Sequence, residues 1–138
     1  MLILDTNVIS ELMRSQPDPV FLQWFDAQDA RRFTTTSINW AELKVGVNRL
    51  PESKRKTGLA MVLQEIHARV LRNGILAFDE AVAECWAQLI AELEARGQPI
   101  GFADSQIAAI ALMHGHSVVT RDVKPFIAAG LNVVNPWD

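Results

Sequence analysis

From Ile107 to Met113 the chain runs IAAIALM, with no polar residue among the seven. A helix built this way has no face to turn toward water and demands cover on every side. It is far too short to span a bilayer, which takes about 20 apolar residues, so its cover has to come from a folded interior. The helix reads as beginning at Asp104 and running toward Gly115. A carboxylate that close to a buried element is costly unless something pairs with it. What Asp104 faces is therefore a question about function.

Five short runs read as strands: Leu2–Leu4, Phe33–Thr36, Ile75–Ala77, Ser117–Thr120 and Asn132–Val134. Helical patterns separate them. Asp18-Pro19 is a cap with proline at the first helical position, followed by Val20, Phe21, Trp24 and Phe25 at helical spacing. Ser37 or Asn39 opens a helix to about Leu50, with Trp40, Leu43, Val47 and Leu50 on one stripe. Ser53 opens another, with Leu59, Val62, Leu63, Ile66 and Val70 recurring at helical steps, and Asp79 a third that stops at Gly97. Strands without period-2 alternation, separated by helices, predict a parallel sheet covered on both faces. In such sheets ligands bind beyond the carboxyl ends of the strands.

The 138 residues read as one domain, 1–138, with 49% hydrophobic and 21% charged residues and a net charge of −3. That charge does not mark a nucleic-acid binder by bulk electrostatics. Lys54–Lys56 reads as a solvated helix start. The beginning MLILDTNVISEL has no basic stretch before its apolar residues, so no signal peptide is expected. A single cysteine, Cys85, forms no internal disulfide, and a cytoplasmic location is the expectation.

Four acids fall where such a sheet would bind a ligand. Asp5 follows the first strand, and either caps the next helix or serves a ligand. Glu42 shares a helix face with Ile38, Ala41 and Val45, which sets it off the solvated surface; the competing use is a capping box back to Asn39. Asp104 shares a face with Ile107, Ala108 and Ala111, and the helix dipole explains tolerance of its charge without explaining an inward direction. Asp122 follows the fourth strand, where a turn residue is the alternative. Two carboxylates about 4 Å apart repel by about 4 kcal/mol at an effective dielectric near 20. Acids gathered at one sheet edge therefore take up protons or bind a cation. All-oxygen ligands favour a hard ion, Mg²⁺ or Mn²⁺. His67, His114 and His116 read as structural.

With these residues in view the chain resembles the PIN-domain ribonucleases, most closely the VapC/FitB-type toxins of bacterial toxin–antitoxin pairs. LILDTNVISEL resembles the family's opening strand and first acid; SINWAEL carries the second, Glu42; GFADSQIAAIA the third, Asp104; and VVTRDVKPF the fourth, Asp122. Thr120 matches the small hydroxyl residue before the fourth acid, and NVVNPWD is similar to that subgroup's ending. Pro125 departs from the acid that relatives often carry there. The resemblance implies a three-layer α/β/α fold with a five-stranded parallel sheet. It also implies a metal-dependent endoribonuclease, with Asp5, Glu42, Asp104 and Asp122 holding one or two Mg²⁺ or Mn²⁺ ions and leaving a 5′-phosphate and a 3′-hydroxyl. The partners it implies are an RNA substrate, a second copy in a homodimer, and an antitoxin that wraps the toxin in a larger hetero-oligomer. DNA is met only through the antitoxin, and no membrane is involved.

Within that frame Asp5 and Asp104 are expected as direct ligands, Glu42 as the group orienting water, and Thr6, Asn7 and Thr120 as supports. Arg121 and Lys124 are expected at flanking phosphates. Exposed parts around Leu12-Met13, Phe21 and Trp24-Phe25 are candidate antitoxin contacts, with core packing as their competing use. Two rivals stand beside this reading. A Mg²⁺-dependent phosphatase of haloacid-dehalogenase type also places Asp after its first strand, but its second Asp would fall on Asn7. A non-catalytic binding module would need none of the four acids.

Overall fold

The computed structural model describes residues 1–138. Five strands alternate with helices: β1 (Leu2–Leu4), α1 (Thr6–Leu12), α2 (Pro19–Asp26), β2 (Phe33–Thr36), α3 (Ser37–Asn48), α4 (Lys54–Arg69), β3 (Ile75–Leu76), α5 (Glu80–Ala95), α6 (Phe102–His114), β4 (Ser117–Val119), α7 (Lys124–Ala128) and β5 (Val133–Val134). All strand pairings are parallel, in the order β3-β2-β1-β4-β5. The strand order reverses between β1 and β4, so the loops leaving these two strands part and open a crevice above the carboxyl edge. Asp5 and Thr120 begin those two loops.

The short central strands are buried on both faces because each residue serves one of two cores. Leu2, Leu4, Phe33 and Val119 join Val8, Ile9 and Phe21 with Leu43, Val47, Leu63 and Ile66 on one side. Ile3 and Val118 join Val82, Leu89, Leu93, Phe126 and the whole of Ile107–Ala111 on the other. This is the expected three-layer α/β/α arrangement. The apolar helix α6 is wedged between the sheet and α5, which supplies its cover. Polar β2 survives burial because its hydroxyls are bonded: Thr34 donates to the Gly74 carbonyl at 2.9 Å and Thr35 to the Leu4 carbonyl at 2.7 Å.

Several expectations need correction. Helix α6 begins at Phe102, so Asp104 sits within its first turn. Its burial ends at Ala111; Met113 is 50% exposed, where the helix runs past the layer that covers it. Val62 also faces water, because α4 packs on one side only and Leu63 and Ile66 fill that contact. Phe21 is fully buried and Trp24 and Phe25 pack on the same core, so core packing claims these aromatics. The short helix α7, which opens with Lys124-Pro125, is not among the helices expected from the sequence. Caps at Asp18, Ser53 and Asp79 are as expected, and Gly97 takes the positive φ of +66° that stops α5. No helix is long and apolar enough to cross a membrane.

Candidate active site

Asp5 serves both uses its position suggested. Its backbone extends β1 by donating to the Val119 carbonyl at 3.0 Å, and its Oδ1 caps α1 by accepting from the Thr6 amide at 2.9 Å. The same oxygen accepts from Asn39 Nδ2 at 2.8 Å, and Oδ2 accepts from the Thr120 hydroxyl at 2.7 Å. The side chain is only 6% exposed. Burial pushes its pKa upward, the Thr120, Thr6 and Asn39 bonds pull against that, and Asp122 adds to the rise.

Around this carboxylate runs a continuous hydrogen-bonded network from three chain segments. Asn39 is fully buried; its amide donates to Thr6 Oγ1 at 3.0 Å as well as to Asp5, and its Oδ1 accepts from Thr36 at 2.7 Å. The Thr6 hydroxyl donates to Glu42 Oε1 at 2.8 Å. On the other flank Thr120 Oγ1 accepts from Asn7 Nδ2 at 3.1 Å and from the Asp122 amide at 3.0 Å. Asn7 Oδ1 accepts from the Arg121 amide at 3.2 Å.

Glu42 reaches this network from an exposed face of α3, which corrects the expected shielded position: Ala41 and Val45 beside it also face water. The capping-box alternative fails as well, because Thr36 is the N-cap and its hydroxyl accepts the Asn39 amide. Asp104 stands across the crevice on the first turn of α6. Its pKa is raised to about 6, first by burial and then by the charges of Asp5, Asp122 and Glu42. The four predicted acids therefore line one polar cleft, together with Thr6, Asn7, Ser10, Glu11 and Arg14. No salt bridge from Lys or Arg neutralises any of the four.

A family model described as PIN domain matches residues 2–130. The chain belongs to the PIN-domain family. It is 42% identical over 138 residues to the VapC ribonuclease Y4jK of Sinorhizobium fredii, covering 100% of this chain and 99% of that one. It is 39% identical over 137 residues to the toxin FitB of Neisseria gonorrhoeae, covering 99% of each. Among solved structures, the crystal structure of FitAcB from Neisseria gonorrhoeae matches with a TM-score of 0.92 at 39% identity over 99% of both chains.

Does the cleft of this PIN domain fit a divalent cation? Its possible ligand atoms are carboxylate, hydroxyl and amide oxygens, and the one cationic side chain lining it, Arg14, is paired with Glu11 and makes no salt bridge to Asp5, Glu42, Asp104 or Asp122. No three carboxylates close on a ready-made cage. That combination suits a hard, well-hydrated cation such as Mg²⁺, which keeps several waters and takes only one or two carboxylates directly. The residues present therefore fit the group.

Two members of the site escaped the sequence reading. Asn39 entered it only as a helix cap, although the spacing from Thr36 and the burial of β2 already turn it toward Asp5. Glu11 is 5% exposed and lines the cleft; its carboxylate accepts from the Asp18 amide and pairs with Arg14, both at 3.2 Å. Nothing in the run ISELM distinguishes it from a solvated helix residue.

Proposed function

We propose that this PIN domain is a divalent-cation-dependent endoribonuclease that acts as a toxin and is held inactive by a cognate antitoxin. One observation carries the reading: four carboxylates from four separate parts of the chain line one cleft with no salt bridge to Lys or Arg, and burial together with the other three raises the pKa of Asp104 to about 6. Asp5 and Asp104 would hold Mg²⁺ or Mn²⁺ directly, and Glu42 and Asp122 would act on it through water. When bound, the cation lowers the pKa of an attacking water and offsets the charge of the scissile phosphate.

The chain's own contribution is orientation. Thr120, Asn39 and the Thr6 amide fix both oxygens of Asp5, so its one remaining lone pair, on Oδ2, keeps one direction. Thr6 holds Glu42 at 2.8 Å, with its second oxygen left to orient water in line with the phosphodiester. Hydrolysis of the P–O3′ bond then leaves a 5′-phosphate and a 3′-hydroxyl. Thr120 is a positioning residue here, since its hydroxyl is consumed by Asp5, Asn7 and Asp122. The phosphatase alternative lacks its general acid: both ends of the Asn7 amide are occupied, by Thr120 and by Arg121.

The antitoxin reading is supported by a groove that shares Thr6, Ser10, Arg14 and Glu42 with the cleft and continues over Met13, Leu43, Val47, Leu50 and Leu59. A peptide seated there would bring an Arg or Lys onto the unpaired acids. A homodimer, DNA contact through the antitoxin alone and a cytoplasmic location complete the proposal. The test is cleavage of single-stranded RNA by the purified chain with and without a chelator. Cleavage should need Mg²⁺ or Mn²⁺ and vanish in Asp5→Asn, whose thermal unfolding stays cooperative. An active Asp5→Asn would remove that residue from the mechanism.

A further inference from the structure

An arginine beside a cluster of carboxylates ordinarily falls onto them, because the charge-assisted bond is among the strongest a surface offers. Arg121 directly precedes Asp122 at the rim of the acidic cleft, yet it takes part in no salt bridge. Its guanidinium carbon instead lies 4.1 Å from the ring centroid of Trp137. Both partners of this stack are anchored. The Arg121 amide donates to Asn7 Oδ1 and the next amide to Thr120 Oγ1, which ties that turn to the network orienting Asp5. Trp137 stacks on the fully buried Phe21, with centroids 5.0 Å apart and planes 25° apart, and its amide donates to Asn135 Oδ1. The indole Nε1 is buried without a partner, so the ring is held by its faces and not by its polar edge.

The consequence is chemical. A guanidinium stacked flat on an aromatic ring keeps its N–H edge open for a planar or tetrahedral oxyanion. We propose that Trp137 is a positioning residue: it holds Arg121 off the neighbouring acids and presents it to a phosphate of the RNA flanking the scissile bond. The assignment rests on the ribonuclease reading above and adds to it a residue from the far end of the chain. It also accounts for how a cleft of net negative charge retains a cation for an anionic substrate without spending that cation on its own carboxylates.

The test is a mutant cycle on cleavage of a single-stranded oligoribonucleotide by the full chain with Mn²⁺. Arg121→Ala should raise KM about tenfold, with a smaller effect on kcat. It should also flatten the dependence of log KM on log salt by about 0.7, the value of one phosphate contact on a single strand. Trp137→Leu keeps an apolar body against Phe21 and should raise KM about threefold, the factor carried by an exposed cation–π contact. In the Arg121→Ala background the same substitution should change nothing further, and Trp137→Phe should recover part of the loss. If Trp137→Leu does not fold, Trp137→Phe in both backgrounds supplies the same comparison. An equal loss from the tryptophan variants with and without Arg121 overturns the proposal, because a merely structural tryptophan gives that result. So does an Arg121→Ala enzyme with unchanged KM and salt slope, or one altered only in antitoxin binding. A wild type that cuts RNA no better than Asp5→Asn would instead sink the ribonuclease reading, whatever the values at 121 and 137.

Discussion

Asp104→Asn should make the cation-free protein more stable, although it deletes a residue proposed to be essential for catalysis. The carboxyl of Asp104 is held at about 6 against an ordinary 3.8 by burial and by three neighbouring acids, with no hydrogen bond in relief. A raised acid binds its proton more tightly when folded than when unfolded. Stability is therefore lost as pH rises from about 4 to about 6, and the penalty is complete above that. Each pKa unit corresponds to about 1.4 kcal/mol, so two units set a ceiling of about 3 kcal/mol. Asp104 is only half-buried and solvent screens its neighbours, which brings the expected gain to roughly 1–2 kcal/mol. For a chain of this size that is a rise in Tm of roughly 4–8 °C. The assay is a pair of thermal melts in chelator. The variant should melt above the wild type at pH 7.5 and level with it at pH 4. Adding Mg²⁺ should raise the wild type and narrow or reverse the gap, since only the wild type keeps the full set of ligands. A variant that melts at or below the wild type at pH 7.5, or a gap that persists unchanged at pH 4, would refute the electrostatic reasoning.

Other outcomes follow from the network around Asp5. Thr120→Val preserves shape but removes the donor to Asp5 Oδ2 and the acceptor for two N–H groups; we expect a loss of about 1–3 kcal/mol in urea unfolding and cleavage reduced about 10–100-fold. Asn39→Ala strips a buried donor from Asp5 and Thr6, so unfolding should show a similar loss and the pKa of Asp5, followed by NMR of its carboxyl carbon, should rise further. Glu42→Gln, on an exposed face, should leave the melting temperature within about 2 °C while RNA cleavage falls at least about tenfold.

The fold was largely legible because its signals are local. IAAIALM can only be an enclosed helix, and the uninterrupted LIL and VVT runs can only be central strands. The acids were legible for a related reason: Asp5 and Asp122 stand just past strand ends, Asp104 in a first helical turn and Glu42 in the second turn of the helix that leaves β2, positions that a parallel sheet gathers at one edge. What remained hidden depends on contacts between distant segments. Whether Glu42 is shielded turns on what covers Ala41 and Val45, and nothing in the chain does. Phe21 looked available for a partner until Trp137, 116 positions later, stacked on it. Glu11 gives no local sign that the Asp18 amide and Arg14 will enclose it. Spacing along the chain fixes what lies on one face of an element, while the cover of that face is set by elements folded from elsewhere.

The central claim is that residues 5 and 104 jointly hold a divalent cation, and binding of Mn²⁺ at pH 7.5 measures it most directly. Following the loss of the free-ion EPR signal, the wild type should bind saturably, and Asp5→Asn or Asp104→Asn should each weaken binding at least about tenfold while remaining folded. Mn²⁺ binding that is unchanged in both folded variants would contradict the account.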